Sequence, residues 1–247
     1  MVAEGIHFQN ASGPAGMRLY AIGDVHGRLD LLEMMHARIR QELSCDRPDD
    51  WRVIHLGDYV DRGPDPKGVL DLLIAAVHED RRMIALAGNH DIGFLEFLAY
   101  PSPHGLFARY GGVETALSYG VQLDFNAPAA LAIGHAALSR AVPQGHVTFL
   151  QGLGLCESFG DFFFCHAGAR PGVPLEMQDS RDLTWIRDEF LDHTGLHPKV
   201  VVHGHTPSPE AEIRSNRVNV DTYACKSGVL TARVVDGAEK RILSVSG

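Results

Sequence analysis

Three short apolar runs in the first ninety residues each stop at a glycine and give way at once to acidic, amide or imidazole side chains. Met17 to Ile22 is stopped by Gly23, Arg52 to Leu56 by Gly57, and Met83 to Ala87 by Gly88. Runs of this length bounded by glycine read as buried strands. Between the first two, Leu31, Leu32, Met35, Ile39 and Leu43 share one helical face. Before the third, Pro66 opens a helix carrying Val69, Leu70, Leu73 and Val77. The start of the chain is therefore a pair of βαβ crossovers, which places it in the α/β class.

From 92 to 152 the pattern changes to Ala, Leu and Phe at helical spacing, interrupted by Pro101, Pro103, Gly111, Gly112 and Pro143. This predicts a helical insertion of several short helices. Strand-like runs return at 153–157, 161–165, 200–203, 217–220, 229–235 and 241–245, and the short loops between the last of them suggest an antiparallel second sheet. Residues 1–16 mix Glu4, Asn10, Ser12, Gly13, Pro14 and Gly16 without periodicity and read as a loose, flexible tail outside the fold. No repeat or linker divides the remainder, so 17–247 is expected to be one domain.

Composition narrows the function classes. The formal charge of −9 opposes sequence-independent binding to a nucleic-acid backbone. No apolar stretch is long enough for a membrane span. Cys45, Cys156, Cys165 and Cys225 are too widely spaced for a disulfide framework or zinc knuckle, which fits a reduced cytoplasmic setting. Cys165 falls on an apolar run and reads as a buried, inert thiol.

The glycine stops introduce Gly23-Asp24-Val25-His26-Gly27, Gly57-Asp58-Tyr59-Val60-Asp61-Arg62-Gly63 and Gly88-Asn89-His90-Asp91. Cys165-His166-Ala167-Gly168 and His203-Gly204-His205-Thr206-Pro207 follow two later runs. Loops after strands of an α/β sheet converge on its ligand crevice. Carboxylate, imidazole and amide oxygen donors suit two divalent cations, with Mn²⁺ the leading expectation and Fe or Zn²⁺ also compatible. Asp24, His26 and Asp58 would hold the first, and Asp58, Asn89, His166 and His205 the second, with Asp58 as bridge. A hydroxide shared by both would be a nucleophile at neutral pH without any serine or cysteine. His90, oriented by Asp61, is the candidate general acid. Arg62 and Arg187 are candidate phosphate ligands, with Asn89 close to the same substrate, and His203 stays outside the site.

In this order GDVHG, GDYVDRG, GNHD, CHAG and HGHTP resemble the signature of calcineurin-like metallophosphoesterases, and GDYVDRG with GHTP resembles the PPP-type serine/threonine protein phosphatases, particularly small bacterial and bacteriophage lambda forms. The likeness runs from Met17 to the C-terminus. It implies a two-sheet β-sandwich flanked by helices in four αββα layers. It also implies metal ligation at Asp24, His26, Asp58, Asn89, His166 and His205, with phosphate chemistry at Asp61, His90, Arg62 and Arg187. The expected activity is hydrolysis of phosphoserine and phosphothreonine in proteins or peptides. Asp91, where those phosphatases usually carry Glu, resembles the related symmetrical diadenosine tetraphosphatases and makes a nucleotide hydrolase the first alternative. That group typically lacks the residues matching Asp61 and Thr206-Pro207. A phosphoprotein-binding scaffold without turnover is the alternative of another class.

Overall fold

The computed structural model describes residues 5–247. It opens with β1 (Met17–Ile22), α1 (Leu29–Asp46), β2 (Asp50–His55), α2 (Pro66–Glu79) and β3 (Met83–Ala85). β1, β2 and β3 pair in parallel, as the crossovers require. The region expected to be helical carries α3 (Asn89–Ala99), α4 (Leu106–Arg109), α5 (Gly112–Ser118), α6 (Pro128–Ala141) and α7 (Gln144–Gln151). After it come β4 (Cys156–Phe159), β5 (Phe162–Cys165), α8 (Ser180–Trp185), α9 (Asp188–Leu191) and β6 (Val200–His203). The chain finishes with β7 (Glu212–Ile213), β8 (Arg217–Asn219), α10 (Ala224–Ser227), β9 (Val229–Asp236) and β10 (Glu239–Ser246).

Two five-stranded sheets result, ordered β10-β9-β1-β2-β3 and β4-β5-β6-β8-β7. Strand alternation builds the four layers. In β1, Leu19 and Ala21 point between the sheets while Tyr20 and Ile22 face the helices; in β5, Phe162 and Phe164 point inward while Phe163 and Cys165 face α8 and α9. The inter-sheet core joins Leu19, Ile54, Leu56, Phe162, Val202 and Val218. The expected αββα architecture is therefore present.

Two sequence expectations fail. The closing strands do not make one antiparallel second sheet: β6 and β8 pair in parallel, while β9 and β10 join the first sheet, β9 running antiparallel to β1. Short connections permit hairpins, but the segment 220–228 between β8 and β9 crosses from one sheet to the other instead. The second failure is the tail. Residues 1–4 lie outside the described residues, but from Gly5 onward the segment is docked along the sandwich. Ile6 N–H donates to His197 O at 2.9 Å, Phe8 N–H to Ser215 O at 2.7 Å, and Ser12 N–H to an Asp161 carboxylate oxygen at 2.9 Å. Ala11 is buried in the inter-sheet core, and the Phe8 ring stacks beneath the buried Arg233 guanidinium at 4.8 Å. Such a segment makes its contacts one at a time and so leaves no period to read.

A buried imidazole pair ties α1 to β2. His55 Nδ1 donates to Ile84 O at 2.8 Å, so its Nε2 accepts from His36 Nε2 at 2.8 Å. Burial pushes His36 down to about 3 and His55 down to about 4. The unfolded chain binds protons near pH 6.5 that the folded chain refuses, so their stabilisation is full above that value and is lost as pH falls toward 4. Each imidazole contributes a slope of about 1.4 kcal/mol per pH unit in that window. In chelator, the melting temperature of His36→Leu should fall less steeply between pH 6.5 and 4.5 than that of the parent. Parallel curves would remove the pair from the acid response.

Candidate active site

Asp24 follows β1, Asp58 follows β2, Asn89 follows β3, His166 follows β5, His205 follows β6 and Asp221 follows β8. Each sits just past the C-terminal end of a strand that runs parallel to a neighbour in its own sheet, and their side chains meet at that end of the sandwich. Turning the chain there demands unusual backbone. Among the described residues seven non-glycine positions have positive φ, and six of them are His26, Asp58, Asp61, Arg62, His205 and Tyr223. Left-handed backbone costs about 1–3 kcal/mol at such residues and clusters at functional sites. Glycine permits the close approach: a Cβ on Gly88 would overlap the Asp58 carboxylate, and one on Gly204 would overlap that of Asp24.

The six expected metal ligands come together. Asp58 Oδ2 lies 3.4 Å from His26 Nε2, and Asp58 Oδ1 lies 3.4 Å from His166 Nε2. Asn89 Oδ1 lies 2.9 Å from His166 Nε2 and 2.8 Å from His205 Nδ1. Asp24 accepts the His205 backbone N–H at 3.1 Å from both oxygens. All six are 5% exposed or less.

This donor set fits cations. His26 Nδ1 donates to Val60 O at 2.8 Å and His166 Nδ1 to Leu56 O at 2.9 Å, which turns each Nε2 lone pair inward. Buried His26 Nε2 has no hydrogen-bond partner, and His166 Nε2 points its lone pair at oxygens of Asp58 and Asn89. Burial pushes His26 down to about 3 and His205 down to about 2, so both rings are neutral and able to serve as ligands. Burial, with Asp221 and then Asp58 nearby, raises Asp24 well above the ordinary carboxylate range. Crowded buried carboxylates among neutral imidazoles call for positive charge.

The residues expected to serve phosphate chemistry adjoin this centre. His90 Nδ1 donates to Asp61 Oδ2 at 2.7 Å, and the His90 ring meets that of His26 edge-on at 4.7 Å. Burial lowers the His90 pKa, but Asp58 and Asp61 outweigh it and the net shift is upward. Arg62 donates to His90 Nε2 at 2.9 Å. Arg187, the residue whose placement depended most on tertiary folding, donates from Nε to His205 Nε2 at 3.0 Å and from Nη2 to His205 O at 3.3 Å. His203 stays outside, its Nδ1 donating to Gly204 O and its ring packed on Phe190. The Cys165 thiol is buried, donates to Gly168 O and is pushed well above its usual range by burial.

Sequence reasoning missed several contributors. Thr115, in α5, accepts the Asp61 N–H at 2.9 Å and donates to Asp61 Oδ1 at 2.8 Å, locking the partner of His90. Nothing in a helical threonine signals this. Asp221, which is buried, had a weaker signal: like Asp24 and Asp58 it comes two or three residues after a strand, but that strand is the mixed Arg217–Asn219 and no glycine stops it. Asp91 has a structural task. Its carboxylate accepts the N–H groups of Asp58, Tyr59 and Gly88 at 2.8–2.9 Å and is buried, so it ties two loops together.

The model of the calcineurin-like phosphoesterases matches residues 17–232, which contain every site residue above. The chain belongs to the calcineurin-like phosphoesterase family. A curated relative from Bacillus thuringiensis (strain Al Hakam), named an asymmetrical bis(5'-nucleosyl)-tetraphosphatase PrpE, is 22% identical over 238 residues, covering 87% of this chain and 89% of its own length. Among solved structures, one provisionally named a diadenosine tetraphosphatase superposes with a TM-score of 0.65 at 21% identity, covering 93% of each chain. A serine/threonine protein phosphatase from Saccharomyces cerevisiae reaches 0.53 at 13% identity, covering 97% of this chain and 85% of that one. This calcineurin-like phosphoesterase thus shares its fold with proteins named for different substrates.

Proposed function

We propose that this phosphoesterase removes phosphate from phosphoserine and phosphothreonine in cytoplasmic proteins. The Asp61–His90 pair carries the reading. Expelling a serine or threonine alkoxide needs a proton donor at the leaving oxygen, whereas a nucleotide phosphate leaves readily without one. Asp61 holds the Nδ1 proton, so Nε2 is the atom that can carry a proton toward the leaving group. Arg62 occupies the Nε2 lone pair until its guanidinium turns onto phosphate oxygens; the freed Nε2 then takes up a proton from solvent and passes it to the leaving oxygen, which ties formation of the acid to substrate binding. Arg187 holds the opposite side of the phosphate. Two divalent cations, held by Asp24, His26, Asp58, Asn89, His166 and His205, would activate water and neutralise phosphate charge.

His90→Asn should lower kcat/KM for a phosphoserine peptide by about 10²–10⁴-fold and spare p-nitrophenyl phosphate, whose leaving group needs little protonation. Equal losses on both substrates would count against the acid role and against an alkoxide leaving group.

A second reading is hydrolysis of dinucleoside polyphosphates, favoured by the names of relatives that align along most of this chain. Side-by-side kinetics on a phosphopeptide and on diadenosine tetraphosphate decide between the two.

A further inference from the structure

A cleft of about 630 Å³ opens beside the site, lined by Trp185, Arg187, Arg170, Arg181, Asp182 and Asp188, and of these only Arg187 enters the chemistry above. Arg187 forms the wall shared with the candidate metal centre through its hydrogen bonds to His205. Trp185, at the end of α8, is 42% exposed although its ring stands edge-on to that of His205 at 6.1 Å. An indole held half-open next to a phosphate site offers a stacking face. We propose that this cleft is a base-binding subsite, in which Trp185 stacks on the nucleobase of a nucleotide whose phosphate is held at Arg187.

The charges select the ligand. Three arginines face three acids, Asp182, Asp188 and Glu189, so the cleft is formally neutral and exerts no net pull on an acidic or basic peptide. Arg170 is locked by Asp182 at 2.7 Å and Glu189 at 2.8 Å. Arg181 and Asp188 enter no ion pair among the described residues, leaving one donor and one acceptor on the walls. A neutral cleft with an aromatic face and both hydrogen-bonding polarities matches a planar base with donor and acceptor edges. The inference rests on the second reading above and gives it a location.

Tryptophan fluorescence tests it. The chain has two tryptophans, so in a Trp51→Phe background the emission reports on Trp185 alone. Titration of the metal-loaded protein with adenosine 5'-monophosphate should quench that emission saturably, and ribose 5-phosphate, which lacks the base, should not. Arg181→Ala, an exposed change, should raise the half-saturating concentration several-fold. Trp185→Ala should lower the ratio of kcat/KM for diadenosine tetraphosphate to that for p-nitrophenyl phosphate by about tenfold, within the range of base–aromatic stacking. Absence of quenching, equal quenching by both ligands, or quenching by an aromatic phosphopeptide alone overturns the subsite. Hydrolysis of diadenosine tetraphosphate without base-dependent quenching overturns the subsite and leaves the second reading intact. Base-dependent quenching without such hydrolysis supports the subsite and removes that reading of the reaction.

Discussion

Asp58→Asn is expected to reduce turnover of p-nitrophenyl phosphate by about 10³-fold or more, the scale reached when a preorganised charge at a reacting centre is lost. Among the described residues Asp58 is the one side chain shared by both groups of candidate ligands, with Oδ2 at 3.4 Å from His26 and Oδ1 at 3.4 Å from His166. An amide keeps one oxygen, so it can serve one side but not both, and it removes a negative charge from a centre that is to hold two cations. Folding should survive, because Asp58 has φ of 55° and asparagine is among the few residues that tolerate that backbone. Circular dichroism should therefore match the parent while elemental analysis shows fewer than two metals per chain. Near-parental turnover with both metals retained would remove the bridging role and the two-cation proposal with it.

Asp91→Ala should destabilise the protein by about 3–5 kcal/mol, because one buried carboxylate accepts three backbone N–H groups and its loss strands all three. At this chain length each kcal/mol corresponds to roughly 2–4 °C, so a fall in melting temperature of about 6–20 °C is expected. Activity should fall as well, since two of the three bonds hold the Asp58 turn in its left-handed backbone. Chemical denaturation and metal-saturated kinetics on the same preparations read both effects. A melting temperature within 2 °C of the parent would mean that the turn is held by other contacts. A larger loss for nucleotide substrates than for aryl phosphate would return Asp91 to a substrate role.

The candidate metal centre was legible in the residues because metal chemistry restricts side-chain types severely. Few combinations of Asp, His and Asn after glycine-stopped strands have another use, and parallel strands deliver their C-terminal loops to one end by topology alone. Asp24, His26, Asp58, Asn89, His166 and His205 could thus be named before any distance was known. Leu19 and Tyr20 could likewise be assigned to opposite faces from period-two alternation, although not to a particular layer.

Tertiary structure decided what depends on contacts between distant segments. The hold of Thr115 on Asp61 spans 54 residues, and neither amino acid advertises it. The docking of Ile6 and Phe8, the crossing of the chain from β8 to β9 between sheets, and the cleft beside Trp185 share that character. Sequence periodicity records which face of an element is buried; it does not record which partner covers that face. The make-up of the candidate metal centre was therefore written in the residues of this phosphoesterase, whereas the supports of Asp61 and Asp58, the sheet to which the last strands belong, and the space beside Arg187 came from packing.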